Sequence, residues 1–258
     1  MLLLLQTPKT QDHGMNQHPS LEPELTLLQH PRARFTIRHA VAPGVAVLRQ
    51  LWLPFVMIQF VGLAVVVVYF TWAPFATTCD RIGEVKKSMG VLFAMLVMPV
   101  AAGVVPELFK TFTGIDRVWD KARLKHLAYA MAVFCIAGLF VDTFYQALAH
   151  FFGNSNGIKV VAAKVLIDQL IYSTTVGVPW MALAFGFERV GFSFGKLRTR
   201  LADQWYLKEV MPMLLVCWVY WFPMTILMYM LPTSLTFVFG ATASAASAIL
   251  LVAVARRK

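Results

Sequence analysis

Lys164, Asp168 and Gln169 are the residues best placed to do chemistry, because they interrupt the apolar run 158–180, which reads as a membrane helix. An ionisable side chain at the centre of a membrane helix costs about 2.5–3.5 kcal/mol on insertion scales. Lys164 and Asp168 stand four residues apart, so they share one helix face and can neutralise each other. Asp142 belongs with them by depth. A polar turn, Gly153 to Gly157, separates it from the run, so the two flanking spans are expected to form an antiparallel hairpin. At 1.5 Å per residue, Asp142, Lys164 and Asp168 fall at similar depth, with Gln169 and Tyr145 beside them. Two acids and one base leave either a protonated carboxyl or a further cation nearby. The cluster then has two readings, a polar lining for ions or solutes and an ion-paired clasp that fixes the hairpin register.

Other chemistry finds little footing. His13, His18, His30 and His39 lie in the N-terminal stretch, and His126 and His150 lie near span ends. Cys79, Cys135 and Cys217 are far apart, with neither disulfide nor metal spacing. There is no Gly-x-Ser-x-Gly, no HExxH and no phosphate-cradling glycine loop. Asp142 and Asp168 lack the Tyr-Asp and Gly-x-Gly-Asp settings of intramembrane aspartyl proteases. The expectation is a protein that is not an enzyme, with no cofactor and no metal.

The elements that would position these residues follow from composition. The 258-residue chain is 59% hydrophobic and only 14% charged, with mean hydropathy +0.65. Soluble domains run at about 45–50% apolar and about 25% charged. Continuous runs of near-membrane length predict an all-α polytopic membrane protein rather than a barrel. Six spans are expected, at 51–73, 89–106, 126–149, 159–187, 209–231 and 233–255. Together they form a single bundle over 51–258, preceded by a polar, basic tail over 1–50. That tail is open to two readings, an import segment or a cytoplasmic stretch held on the inner side by its arginines.

The net charge of +10 does not point to nucleic acid, because the basic residues concentrate in particular loops. Of the 23 Lys and Arg, 18 fall in the N-tail, 107–125, 188–208 and the C-tail, and only Arg81, Lys86, Lys87 and Lys159 fall opposite. This asymmetry predicts an even number of spans with both termini on the inner side. Within 188–208, Phe194, Leu197, Leu201 and Trp205 suggest an interfacial helix, the alternative being a solvated basic loop. In the last span, Gly240, Ser244 and Ala248 recur every four residues, a face suited to close helix contact within the protein or between protomers. No internal repeat of the transporter kind is evident between the halves.

Gly138, Asp142-Thr-Phe-Tyr145, Lys164-x-x-x-Asp168-Gln169 and Trp218-x-x-Trp221, followed by an aromatic stretch ending at Pro232, together resemble the Mpv-seventeen family (peroxisomal membrane protein twenty-two type). The resemblance covers about residues 126–256. It departs from the family pattern at Pro179, Cys217 and Phe222, and no arginine follows Pro232. The resemblance implies a small multi-span protein forming or regulating a weakly selective channel for solutes or ions. The expected partners are the lipid bilayer, small solutes or ions, and a homo-oligomer or larger membrane complex, with a non-conducting scaffold as the alternative. The expected host is a bacterial plasma membrane or mitochondrial inner membrane, ahead of a peroxisomal one.

Overall fold

The computed structural model describes residues 37–153, 155, 157–202 and 204–255, and every regular element among them is helical. In chain order these are α1 (Ile37–Thr71), α2 (Ala73–Met89), α3 (Val91–Phe112), α4 (Lys121–Phe152), α5 (Ile158–Arg189), α6 (Phe194–Ala202), α7 (Tyr206–Met230) and α8 (Thr233–Ala255). Five stretches are long and apolar enough to cross a membrane: Val41–Thr71 in α1, and α3, α4, α5 and α7 over their full lengths. The apolar stretch of α8, Leu235–Ile249, is shorter among the described residues. The chain is thus an all-α, membrane-embedded bundle.

Three helices change register for one shared reason. Val100–Val104, Asp168–Gly177 and Tyr206–Val210 are π-helical. Each ends two residues before a proline, namely Pro106, Pro179 and Pro212. A proline inside a helix lacks an N–H, and its ring collides with the carbonyl four residues back. A turn widened to i→i+5 bonding moves that carbonyl away. The last such bond before Pro179 runs from Val178 N–H to Ser173 O. The next carbonyl, that of Thr174, would need the missing proline N–H. It accepts from the Tyr206 hydroxyl instead, at 2.9 Å. In hydrocarbon this substitution matters, because no water is there to take the orphaned group.

Two helix pairs carry most of the packing. α1 lies along α7, where Leu51 and Phe55 meet Tyr220 and Met224 in one core. Gln59 Nε2 donates to Tyr220 O at 2.8 Å across the same seam. Val47 also belongs to this core, so α1 runs through residues 37–50, which the sequence placed in a polar tail. Pro43 and the flanking Arg38 and Arg49 hid an apolar face that only α7 completes. Residues 1–36 and 256–258, including several of the counted basic residues, lie outside the described residues.

The second pair is α3 with α4. A Cβ on Gly138 would stand 2.5 Å from Ala94 O, so only glycine allows this approach. α4 therefore packs chiefly along α3, and the expected pairing of α4 with α5 is present beside it as a lesser contact. The α3–α4 connection is held by Arg123, which is buried. Its Nε donates to Glu107 Oε2 at 2.8 Å. Nη1 donates to Asp116 O and Val118 O, and Nη2 to Glu107 O and Thr111 Oγ1. All five guanidinium N–H groups are used.

Two shorter helices complete the chain, one expected within 188–208 and one in a segment that the sequence reads as a loop. α6 occupies part of 188–208, with Phe194 and Leu201 exposed. α2 was not anticipated, because its charged residues Asp80, Arg81, Glu84, Lys86 and Lys87 looked like a solvated connection. It packs on α8 and α1 and ends at Gly90, whose φ of +60 breaks the helix before α3. Burial of the Cys79 thiol on α2, with Asp80 beside it, raises its pKa.

Substituting the close-approach glycine should be far costlier than substituting a roomy one. Gly138→Ala is expected to destabilise by about 1–3 kcal/mol through overpacking. Gly103→Ala, whose added Cβ would meet nothing nearer than 3.7 Å, should be neutral or stabilising. Reversible unfolding in mixed micelles measures both, and equal effects would contradict the packing described.

Candidate functional site

The buried face of α5 shows how the π segment builds a site. Val161, Lys164, Val165, Asp168 and Gln169 are buried at α-helical spacing, followed by Ser173, Val178 and Ala182. The step of five from Ser173 to Val178 is the extra residue of the π segment. It keeps the inward face continuous, with Asp168, Gln169 and Ser173 pointing into the bundle.

The structure separates the side chains that the sequence gathered into one cluster. Asp142, 1% exposed, pairs with Lys86 Nζ on α2 at 2.5 Å and accepts from Gln146 Nε2 at 2.6 Å. Lys164 forms no ion pair with Asp168; its Nζ donates to Gly153 O at 2.8 Å. That carbonyl lies at the C-terminal end of α4, where the helix dipole favours a cation. Asp168, 4% exposed, accepts from the Tyr229 hydroxyl at 2.7 Å and, at 3.2 Å, from Gln169 Nε2. The expected triad of Asp142, Lys164 and Asp168 is therefore corrected. Each charge found a partner on an element whose proximity only the tertiary fold supplies.

Lys86 is the residue that sequence reasoning placed wrongly. Its signal was present, since a surplus acid in the membrane implied a cation nearby, but α2 was read as a loop. Ser173 went unremarked, and Tyr229 was noted only as one aromatic among many. Tyr145 bridges the two sites: it stands one turn after Asp142, and its ring meets that of Tyr229 edge-on at 6.0 Å. The Tyr145 hydroxyl contacts Met228 Sδ at 3.5 Å.

Beside Asp168 the bundle forms a partly open cavity of about 270 Å³. α4 and α5 form one side of it, α7 and α8 the other, with Phe55 from α1 and Met98 and Ala102 from α3. Trp180 Nε1 donates to Val133 O and Tyr129 donates to Ala184 O, sewing α4 to α5 beyond the cavity. Trp218 Nε1 donates to Gln169 O at 2.9 Å and ties α7 to the π segment. Trp221 lines the cavity, while Pro232 follows the extended Leu231 between α7 and α8. Gly240, Ser244 and Ala248 all line the cavity, so the small-residue face of α8 opens space within the bundle.

The polar end of this cavity is unusual in one respect. Gln169 Oε1 is buried without a hydrogen-bond partner, on a side chain 1% exposed. Such an atom costs about 1–3 kcal/mol unless something donates to it. Among the described residues, no three His, Cys, Asp or Glu side chains converge as metal ligands would. The fold and this site define a helical membrane protein with an internal, acid-ended cavity. No family model matches the chain, and neither the curated proteins nor the solved structures give a match.

The Lys86–Asp142 pair should behave as a structural clasp. Lys86→Gln is expected to destabilise by about 3–5 kcal/mol, because it leaves a buried carboxylate unpaired. Pairing Lys86→Met with Asp142→Leu should restore most of that loss. A double-mutant cycle in micelles reads the coupling, and additive single effects would rule out the clasp.

Proposed function

We propose that the protein passes small solutes or ions across its membrane, and that the cavity is a section of their path. The observation that supports this reading is the pairing, inside the bundle, of the Asp168 carboxylate with an unpartnered Gln169 oxygen at the end of an otherwise apolar space. Polar groups at membrane depth that face an interior cavity are those expected along solute pathways. Asp142 and Lys164 have no part in the path on this reading, since each is engaged in holding helices. The resemblance to the Mpv-seventeen family points the same way. The excess of Lys and Arg at the α6 end favours both termini on the inner side, in a bacterial plasma membrane or a mitochondrial inner membrane.

Reconstitution into liposomes tests the proposal. The purified protein should raise the permeability of vesicles to small solutes, and Asp168→Asn should cut that flux about tenfold while leaving the unfolding midpoint nearly unchanged. A well-folded Asp168→Asn protein with undiminished flux would overturn the role of the cavity. Absence of any flux from the native protein would favour a non-conducting scaffold.

A further inference from the structure

We infer that the cavity is a binding site for organic ammonium ions, amphiphiles with one protonated amine and an apolar body of about one aromatic ring. This deepens the proposed function and rests on the same reading of the cavity.

The charge of the cavity is one-sided. Asp168 is the one Asp, Glu, Lys, Arg or His among the lining residues described. Its two hydrogen bonds come from neutral donors, Tyr229 and Gln169. The nearby lysines are spoken for, Lys86 by Asp142 and Lys164 by Gly153 O. Ionising a buried carboxyl that has no cation beside it is costly, and a cationic ligand seated there would offset that cost.

The hydrogen-bonding groups are one-sided too. The hydroxyls of Tyr220, Thr225, Ser244 and Ser247 all donate to backbone carbonyls. So does the indole N–H of Trp180. These five donors are committed within the protein, the Tyr172 hydroxyl and Trp221 indole N–H are not among them, and at the polar end Gln169 Oε1 is an acceptor in want of a donor. The complementary ligand is a multiple donor without a negative charge. An ammonium group has three N–H donors and no acceptor.

The walls suit what such a group is attached to. Tyr172, Trp180 and Trp221 line the space, and aromatic faces attract cations as well as apolar matter. An engineered cavity of about 150 Å³ accommodates benzene. The larger space here leaves room for a ring, a short linker and the charged head.

Binding of three matched probes to the full-length protein in micelles decides the matter, read by calorimetry and by the fluorescence of Trp180 and Trp221. The probes are 2-phenylethylammonium, the neutral 2-phenylethanol and the anionic phenylacetate. The ammonium should bind at least tenfold more tightly than either of the others, and Asp168→Asn should abolish that preference. Equal affinity for all three, tighter binding of the anion, or no binding at all would overturn the inference, and the native protein suffices for this comparison. Ammonium binding without liposome flux would uphold the site and sink the passage reading. Flux with no ammonium preference would do the reverse.

Discussion

Hydrocarbon offers no hydrogen bonds, and this architecture is organised around groups that must therefore find partners inside the protein. The clearest instance is the proline–π pairing. Pro106, Pro179 and Pro212 each remove an N–H from a long apolar helix, and each is preceded by a widened turn that relieves the collision. At Pro179 the repair crosses between helices, with Tyr206 donating to the Thr174 carbonyl. Helix distortion in α5 is thus built in and held by α7.

The same constraint sorts the ionisable residues into two kinds. Arg123, Lys86, Lys164 and Asp142 are buried or nearly so, and each is engaged by an opposite charge, a carbonyl or an amide. Their work is architectural: Arg123 fixes the α3–α4 connection, Lys86 and Asp142 tie α2 to α4, and Lys164 caps α4. Asp168 differs. Its partners are neutral, its neighbour Gln169 has an idle oxygen, and both face empty space. Gln59 Oε1 on α1 is also buried without a partner, but only the Gln169 oxygen sits beside a buried acid at the cavity, which makes this the place to look for a ligand.

Small residues serve opposite ends in the two halves of the bundle. Gly138 lets α3 and α4 touch backbone to backbone. Gly240, Ser244 and Ala248 in α8 line the cavity, with Gly240 also close against Met228 and Tyr145. Spacing alone reads the same in both cases, since a missing side chain means contact or cavity according to what lies opposite.

The sequence by itself determined the class of protein, because apolar runs of membrane length have few other physical solutions. It also marked Asp142, Lys164, Asp168 and Gln169 as buried and consequential, because ions in lipid require a reason. It could not assign their partners. Helical spacing places Lys164 and Asp168 on one face, yet a long lysine side chain can reach along the helix to the Gly153 carbonyl, and nothing local forbids it. Lys86 meets Asp142 only because the chain turns at Gly90 between α2 and α3 and α3 packs along α4, and Tyr229 meets Asp168 only because α7 packs on the π segment. Those contacts join residues 56 and 61 positions apart. Pairing across such distances is decided by which helices pack together, and that choice belongs to the assembled bundle.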